Sequence, residues 1–338
     1  MIDRVLVTGI SGFIGSHVAA GLVAKGYQVR GTVRSLAKGH RVLDAMALQG
    51  VDISAIELVE ANLAEDAGWH EAVADCRFIQ HIASPFPSDT PTDREALVPE
   101  ARAGAQRVLE HGFSAGAERI VMTSSMIAMM GRAGRSKRYD ITEESWSDPD
   151  WKGLTPYAVS KTRAELSAWA YVEAQGLKDK LVTVCPGLVL GPDLFGNAGT
   201  SLGVVKVMLK GGMSRAPKLA FPVIDVRDCA DIHIAAMTAA GSEGRRLLAG
   251  GQTLWMNEIA QILRKAYPEN DQLPKGELPN ILMKFGGLFD ARAKSLTAEL
   301  GLYGTAKAEY VSTMTQVMPR SAKEAVLSAA ENLINNGL

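Results

Sequence analysis

The chain has 338 residues, 47% of them hydrophobic and 22% charged, which excludes a disordered or fibrous protein. Lys and Arg number 36 against 37 Asp and Glu, a net charge of -1, so no electrostatic case exists for a nucleic-acid partner or a polybasic membrane surface. No stretch approaches the roughly 18 consecutive apolar residues that a membrane span needs.

Short apolar runs alternate with helical patterns from the start. Val5–Val7 reads as a strand, and an amphipathic helix follows from Phe13 to Lys25, stopped by Gly26. Tyr27–Val33 is a second strand, Leu36–Leu48 a helix, Ile56–Val59 a third strand and Gly68–Ala74 a short helix. Phe78–Ile82 is a fourth strand, Arg94–Ser114 a long helix and Arg119–Thr123 a fifth strand. A polar loop spans Arg132–Gly153, a helix runs from Tyr157 to Gln175, and Leu181–Val184 and Leu247–Ala249 read as a sixth and a seventh strand. Strands separated by helices imply right-handed crossovers and a doubly wound parallel sheet. The rhythm breaks in the glycine-rich stretch from Gly187 to Pro222 and again beyond Gly251. The expected organisation is a dinucleotide-binding domain of residues 1–187 plus 222–250, with a smaller, mostly helical substrate lobe of 188–221 plus 251–338.

Between the first strand and its helix lies Thr8-Gly9-Ile10-Ser11-Gly12-Phe13-Ile14-Gly15. One glycine permits the tight turn, a second lets backbone approach a pyrophosphate, and a third lets helix pack on strand. Free N–H groups at the helix start then face the phosphates. No Gly-Lys-Ser/Thr follows, so this is no P-loop. An acid about 20 residues past the glycines would bind a ribose 2′-hydroxyl. Here the second strand ends in Arg34, with Lys38 beyond it and no carboxylate between them, which suits a 2′-phosphate and hence NADP(H).

Thr155 and Pro156 suit a helix start, which sets Tyr157 and Lys161 four apart on one face. An ammonium beside a phenol favours the phenolate and lowers its pKa. Such a pair acts as a general acid toward a carbonyl oxygen receiving hydride. The fifth strand ends in Ser124-Ser125, and either hydroxyl would reach a ligand crevice at the strand ends.

With these three motifs the chain resembles the extended short-chain dehydrogenases/reductases, a Rossmann-type family. Within them it is similar to the dihydroflavonol 4-reductase-like carbonyl and aldehyde reductases. The likeness extends to His81-Ile82-Ala83-Ser84-Pro85-Phe86, Ile141-Thr142-Glu143-Glu144-Ser145-Trp146, the run from Cys185 to Pro192, and Asp225-Val226-Arg227-Asp228. The resemblance implies Ser125, rather than Ser124, as the catalytic serine. It places Ala83, Ser84, Pro186, Gly187, Leu188 and Val189 against the cofactor, with Lys161 also on the nicotinamide ribose. Asn62, where the family often has Asp, and Leu63 are placed near the adenine. Phe86, Met126 and Met130, with Leu188 and Phe195, are the expected apolar substrate pocket.

Six histidines (His17, His40, His70, His81, His111, His233) show no metal-ligand spacing, and no metal is expected. Cys76, Cys185 and Cys229 contain no CxxC, which argues against a disulfide framework and for a reducing, cytoplasmic setting. The N-terminal apolar run is too short for a signal peptide. The expected activity is NADPH-dependent reduction of an apolar aldehyde or ketone to the alcohol, with hydride from the nicotinamide and the proton from Tyr157, by a monomer or homodimer. The alternative is a nucleotide-sugar epimerase or dehydratase on the same scaffold, with Arg215 and Lys218 available for a diphosphate. A non-catalytic NADP sensor has no use for Ser125, Tyr157 and Lys161 together.

Overall fold

The computed structural model describes residues 3–85, 91, 93–195, 200–286 and 296–337. Its strands, in chain order, are β1 (Arg4–Thr8), β2 (Gln28–Val33), β3 (Ile56–Glu60), β4 (Phe78–His81), β5 (Arg119–Thr123), β6 (Arg138–Ile141), β7 (Leu181–Pro186), β8 (Leu188–Leu190), β9 (Ala216–Pro217), β10 (Ala220–Asp225), β11 (Arg246–Ala249), β12 (Thr253–Trp255), β13 (Glu277–Leu278) and β14 (Tyr303–Ala306). The helices used below are α1 (Phe13–Ala24), α2 (Leu36–Leu48), α3 (Trp69–Val73), α4 (Val98–Ser114), α5 (Ile127–Met130), α6 (Pro156–Ala174), α7 (Thr200–Leu209), α8 (Val226–Ala235) and α9 (Met256–Ala266).

Seven strands form one sheet in the order β3-β2-β1-β4-β5-β7-β11. Every neighbouring pair is parallel, with Val5 opposite both Val29 and Phe78. Helices cover both faces, so Val5, Leu6 and Val7 are all fully buried. That is why β1 reads as a continuous apolar run rather than an alternation. Val5 and Val7 pack with α1, α2 and α8, and Leu6 packs with α3, α4 and α6. Each such side chain contributes about 1.5–3 kcal/mol by leaving water. The winding direction reverses between β1 and β4, which opens a crevice at the carboxyl ends of these two strands.

A second sheet, β12-β10-β8, packs with α7, α9 and the C-terminal helix Ala322–Asn335 around Leu190, Leu202, Met208, Leu263 and Val326. Asp225, in the segment recognised by its family pattern, caps α8: its carboxylate accepts from the Arg227 N–H at 2.9 Å and from the guanidinium at 2.8 and 2.7 Å.

The sequence reading left out the strands from Leu188 to Trp255 outside β11, together with β13 and β14, and it differs from the structure at two further places. The fourth helix begins at Val98 rather than Arg94, because Pro99 fits only a first helical turn. Arg94 instead donates to the carbonyls of Pro149 at 2.6 Å and Trp151 at 3.0 Å. The polar stretch Arg132–Gly153 contains β6, which pairs in parallel with β14, Tyr139 opposite Gly304. Only Ile141 of β6 is fully buried, so the strand left no run of apolar residues to read.

Candidate active site

The glycine turn leaves β1 with Gly9 at φ +68°, a backbone region that favours glycine. The Gly12 N–H closes the turn on the Gly9 carbonyl at 2.9 Å, and the Gly9 N–H reaches across to Thr32 Oγ1 on β2 at 3.1 Å. Gly12 caps α1 without a side-chain acceptor, and no acid occupies the first turn. The N–H groups of that turn are therefore open to an anion. A Cβ on Gly15 would lie 2.3 Å from the Gly9 carbonyl oxygen, so strand and helix approach as closely as backbone allows.

This turn forms one wall of a cleft of about 540 Å³. Gly9, Gly12, Phe13, Ile14, Arg34, Asn62, Leu63, Ala83, Ser84, Tyr157 and Val189, all named by the sequence reading, line it. Arg34 is exposed at the end of β2; Lys38, one turn into α2, is exposed but does not line the cleft. Asn62 is held within its own loop: its Oδ1 accepts from the Ala64 N–H at 3.2 Å and its Nδ2 donates to Glu65 at 3.1 Å.

Several expected residues face elsewhere. Thr8 is fully buried; its Oγ1 accepts the N–H groups of Ile82 and Ala83 at 3.0 Å and lies 3.0 Å from His81 Nδ1. With two protons already on that oxygen, its own goes to Nδ1, so His81 is neutral and carries its proton on Nε2. Burial pushes the His81 pKa down to about 3, consistent with that assignment. Pro186 is buried and accepts the Met126 N–H at 2.9 Å, Gly187 donates to the Ala249 carbonyl at 3.0 Å, and Leu188 packs toward the second core. Of that quartet, Val189 alone lines the cleft. Met126 is 1% exposed and packs with Met129, Ile141 and Leu248, so it fills core rather than a substrate pocket. Met130 is half-buried against the same cluster, Phe195 is half-buried away from the cleft, and Phe86 lies outside the described residues.

The sequence reading missed Ser11, Trp69, Glu100 and Ser201, which also line the cleft. Trp69 is 1% exposed, with its indole N–H shared between the carbonyls of Asn62 and Glu65, both at 3.0 Å. A lone Trp opening a five-residue helix carried no periodic signal.

Of the three expected catalytic residues, Tyr157 lines the cleft; Ser125 and Lys161 do not, and Lys161 borders a small space beside it. Thr155 caps α6 by accepting the Ala158 N–H at 3.1 Å, which fixes the first turn that carries Tyr157. Tyr157 hydrogen-bonds Ser125, whereas Ser124 turns inward and donates to Glu165 at 2.6 Å. Burial raises the Tyr157 pKa to about 12, opposed by the Ser125 bond. The Tyr157–Lys161 spacing by itself suggested the opposite direction. Burial therefore leaves a protonated phenol at neutral pH, the form a general acid requires. Lys161, one turn along, is lowered to about 8 by loss of hydration, with Glu165 working against that loss.

Fold and glycine turn together define a dinucleotide-binding α/β protein. Residues 5–250 match the NAD dependent epimerase/dehydratase family, and the chain belongs to that family. Cinnamoyl-CoA reductase CAD2 of Medicago truncatula is 33% identical over 276 residues, 80% of this chain and 82% of the relative. Dihydroflavonol 4-reductase of Zea mays is 33% identical over 276 residues, 79% of this chain and 75% of the relative. The crystal structure of Gre2 from Candida albicans in complex with NADPH superposes with a TM-score of 0.81 at 26% identity, covering 99% of each chain.

Proposed function

We propose that the protein reduces an apolar aldehyde or ketone to the alcohol with NADPH as reductant. One observation carries this reading. Tyr157, hydrogen-bonded to Ser125, stands in the wall of the cleft that begins at the open first turn of α1. The residues present fit a dinucleotide: backbone N–H groups for the pyrophosphate, Arg34 for a 2′-phosphate, and Val189 and Ala83 against the rings. When bound, NADPH supplies hydride to the carbonyl carbon. Ser125 orients the carbonyl oxygen, and Tyr157 donates the proton to it. Lys161, one turn further along α6, would hold the nicotinamide ribose.

The names of the relatives support a reductase: a cinnamoyl-CoA reductase, a dihydroflavonol 4-reductase and an NADPH-bound Gre2. Pro85 and Val189 add apolar surface to the cleft that Tyr157 also lines. An aryl or alkyl chain gains about 25 cal/mol for each Å² buried there. A sugar diphosphate needs cations instead. Lys218 is paired with Glu277 at 3.1 Å, Arg215 donates to the Glu277 carbonyl at 3.4 Å, and neither lines the cleft. We further assign residues 1–187 and 222–250 to dinucleotide binding and 188–221 and 251–338 to the substrate. Three free, buried cysteines suit a reducing cytoplasm, where we place the protein as a monomer or homodimer. Among the described residues no helix is long and apolar enough to cross a membrane.

The test sets cinnamaldehyde and benzaldehyde with NADPH against UDP- and GDP-sugars with NAD. Loss of NADPH absorbance with the aldehydes is expected. Turnover of a sugar nucleotide, with neither aldehyde reduced, overturns the reading.

A further inference from the structure

Glu165 lies on α6 one turn beyond Lys161 and is 1% exposed. A carboxylate taken out of water is costly unless its oxygens are paired. Arg246 on β11 donates to it from Nε at 2.8 Å and Nη2 at 3.0 Å. Ser124, beyond the end of β5, donates at 2.6 Å, and Thr183 on β7 donates at 2.9 Å. Donors from three adjacent strands thus converge on one side chain of the helix that carries Tyr157. Burial alone would raise the Glu165 pKa, but the bonds from Arg246, Ser124 and Thr183 hold it below the usual range. Arg246 is itself fixed: Nη1 donates to the Glu143 carbonyl at 3.0 Å, and the guanidinium sits 3.7 Å from the Trp146 ring centre.

Ser124 and Ser125 are neighbours in the chain, so the bond that holds Ser124 also sets where Ser125 meets Tyr157. The same carboxylate faces Lys161. A small space beside Lys161 is bounded by His81 of β4, Ser124, Glu165 and, from α4, only Ala101 and Ala105. His81 is neutral, its pKa pushed to about 3. Cys185 on β7 has its thiol pushed up by burial and is neutral as well. Arg246 is the second cation of this region, and its guanidinium faces Glu165. Glu165 is therefore the anion that opposes the loss of hydration around Lys161.

We infer that Glu165 is a positioning residue of the reductive site: it ties the end of β5 to the Tyr157 helix, so that Ser125 and Tyr157 meet, and it provides the counter-charge for Lys161. This rests on the proposed reductase activity.

The experiment measures kcat and KM against pH for NADPH-dependent reduction of cinnamaldehyde. Glu165→Gln should lower kcat roughly tenfold to hundredfold, the scale of a small misplacement at the reacting groups. It should also move the alkaline limb of the profile to lower pH by about one unit or more, since a lost anion makes the lysine easier to deprotonate. Glu165→Asp keeps the charge and should bring the limb back while the rate stays reduced. Ser124→Ala should lower kcat with the limb unmoved. A merely structural role would depress all pH values alike. Gln leaves Arg246 unpaired, so the double variant Glu165→Leu/Arg246→Met, which removes both buried charges, guards against misfolding. Folded double variant with native kcat, or Glu165→Gln with an unmoved limb and kcat within about twofold of native, overturns the proposal. A native protein that reduces no aldehyde fells the functional reading first, and this proposal with it.

Discussion

Gly15→Ala tests whether the α1 turn is the phosphate site. The new Cβ would sit 2.3 Å from the Gly9 carbonyl oxygen, 3.1 Å from the Gly9 carbonyl carbon and 3.3 Å from Ile10 Cα, all backbone atoms with no rotamer to relieve them. A Cβ on Gly12 would meet the same oxygen at 3.2 Å, close to a tolerated contact. To reach ordinary contact the turn must therefore retreat by about 1.1 Å at Gly15 but only by a few tenths of an ångström at Gly12. Overpacking of this kind costs ~1–3 kcal/mol. Alanine in place of glycine inside a helix returns up to ~1 kcal/mol, so the net loss of stability is about 0–2 kcal/mol. Binding suffers more. Hydrogen bonds to a charged phosphate are worth ~1.5–3 kcal/mol each, and a shift near 1 Å breaks their geometry, so NADPH should bind at least tenfold more weakly. Nucleotide fluorescence titration with thermal melting separates the two effects. The expected order is native, then Gly12→Ala slightly weaker, then Gly15→Ala. Native NADPH affinity in a folded Gly15→Ala variant would refute the assignment of this turn to the pyrophosphate.

Arg34→Ala should weaken NADPH by ~1–3 kcal/mol and leave NADH unchanged, read as the ratio of kcat/KM for the two cofactors; equal losses would remove Arg34 from the 2′-phosphate. Tyr157→Phe keeps the ring, so NADPH should bind normally while turnover falls ~10²–10⁴-fold, and near-native turnover would place the proton donor elsewhere. The kcat/KM profile should lose activity as pH rises through about 8, where Lys161 gives up its proton, and an alkaline limb above pH 10 would show that this charge is not required.

Much of the site is written in short stretches of chain. The glycine spacing, Arg34 at the end of a strand, and Thr155-Pro156-Tyr157 opening a helix are local, and backbone geometry makes each legible without its surroundings. The seven-strand alternation is local in the same sense, because each buried parallel strand must be apolar on both faces. What the sequence left open depends on segments far apart in the chain. Thr8 belongs to the glycine motif, yet its hydroxyl is held by β4 and the residues after it, 73–75 positions away, and does not face the cleft. Met126 flanks the serine, but the core around Ile141 and Leu248 takes its side chain. Ser124 and Ser125 have the same chemistry. Only the placing of Glu165 beneath one and Tyr157 beside the other separates them. Residue type and helical period determined which groups this protein owns. Long-range packing, where a buried polar atom takes whichever partner the folded chain brings within reach, decided which of them face the cleft.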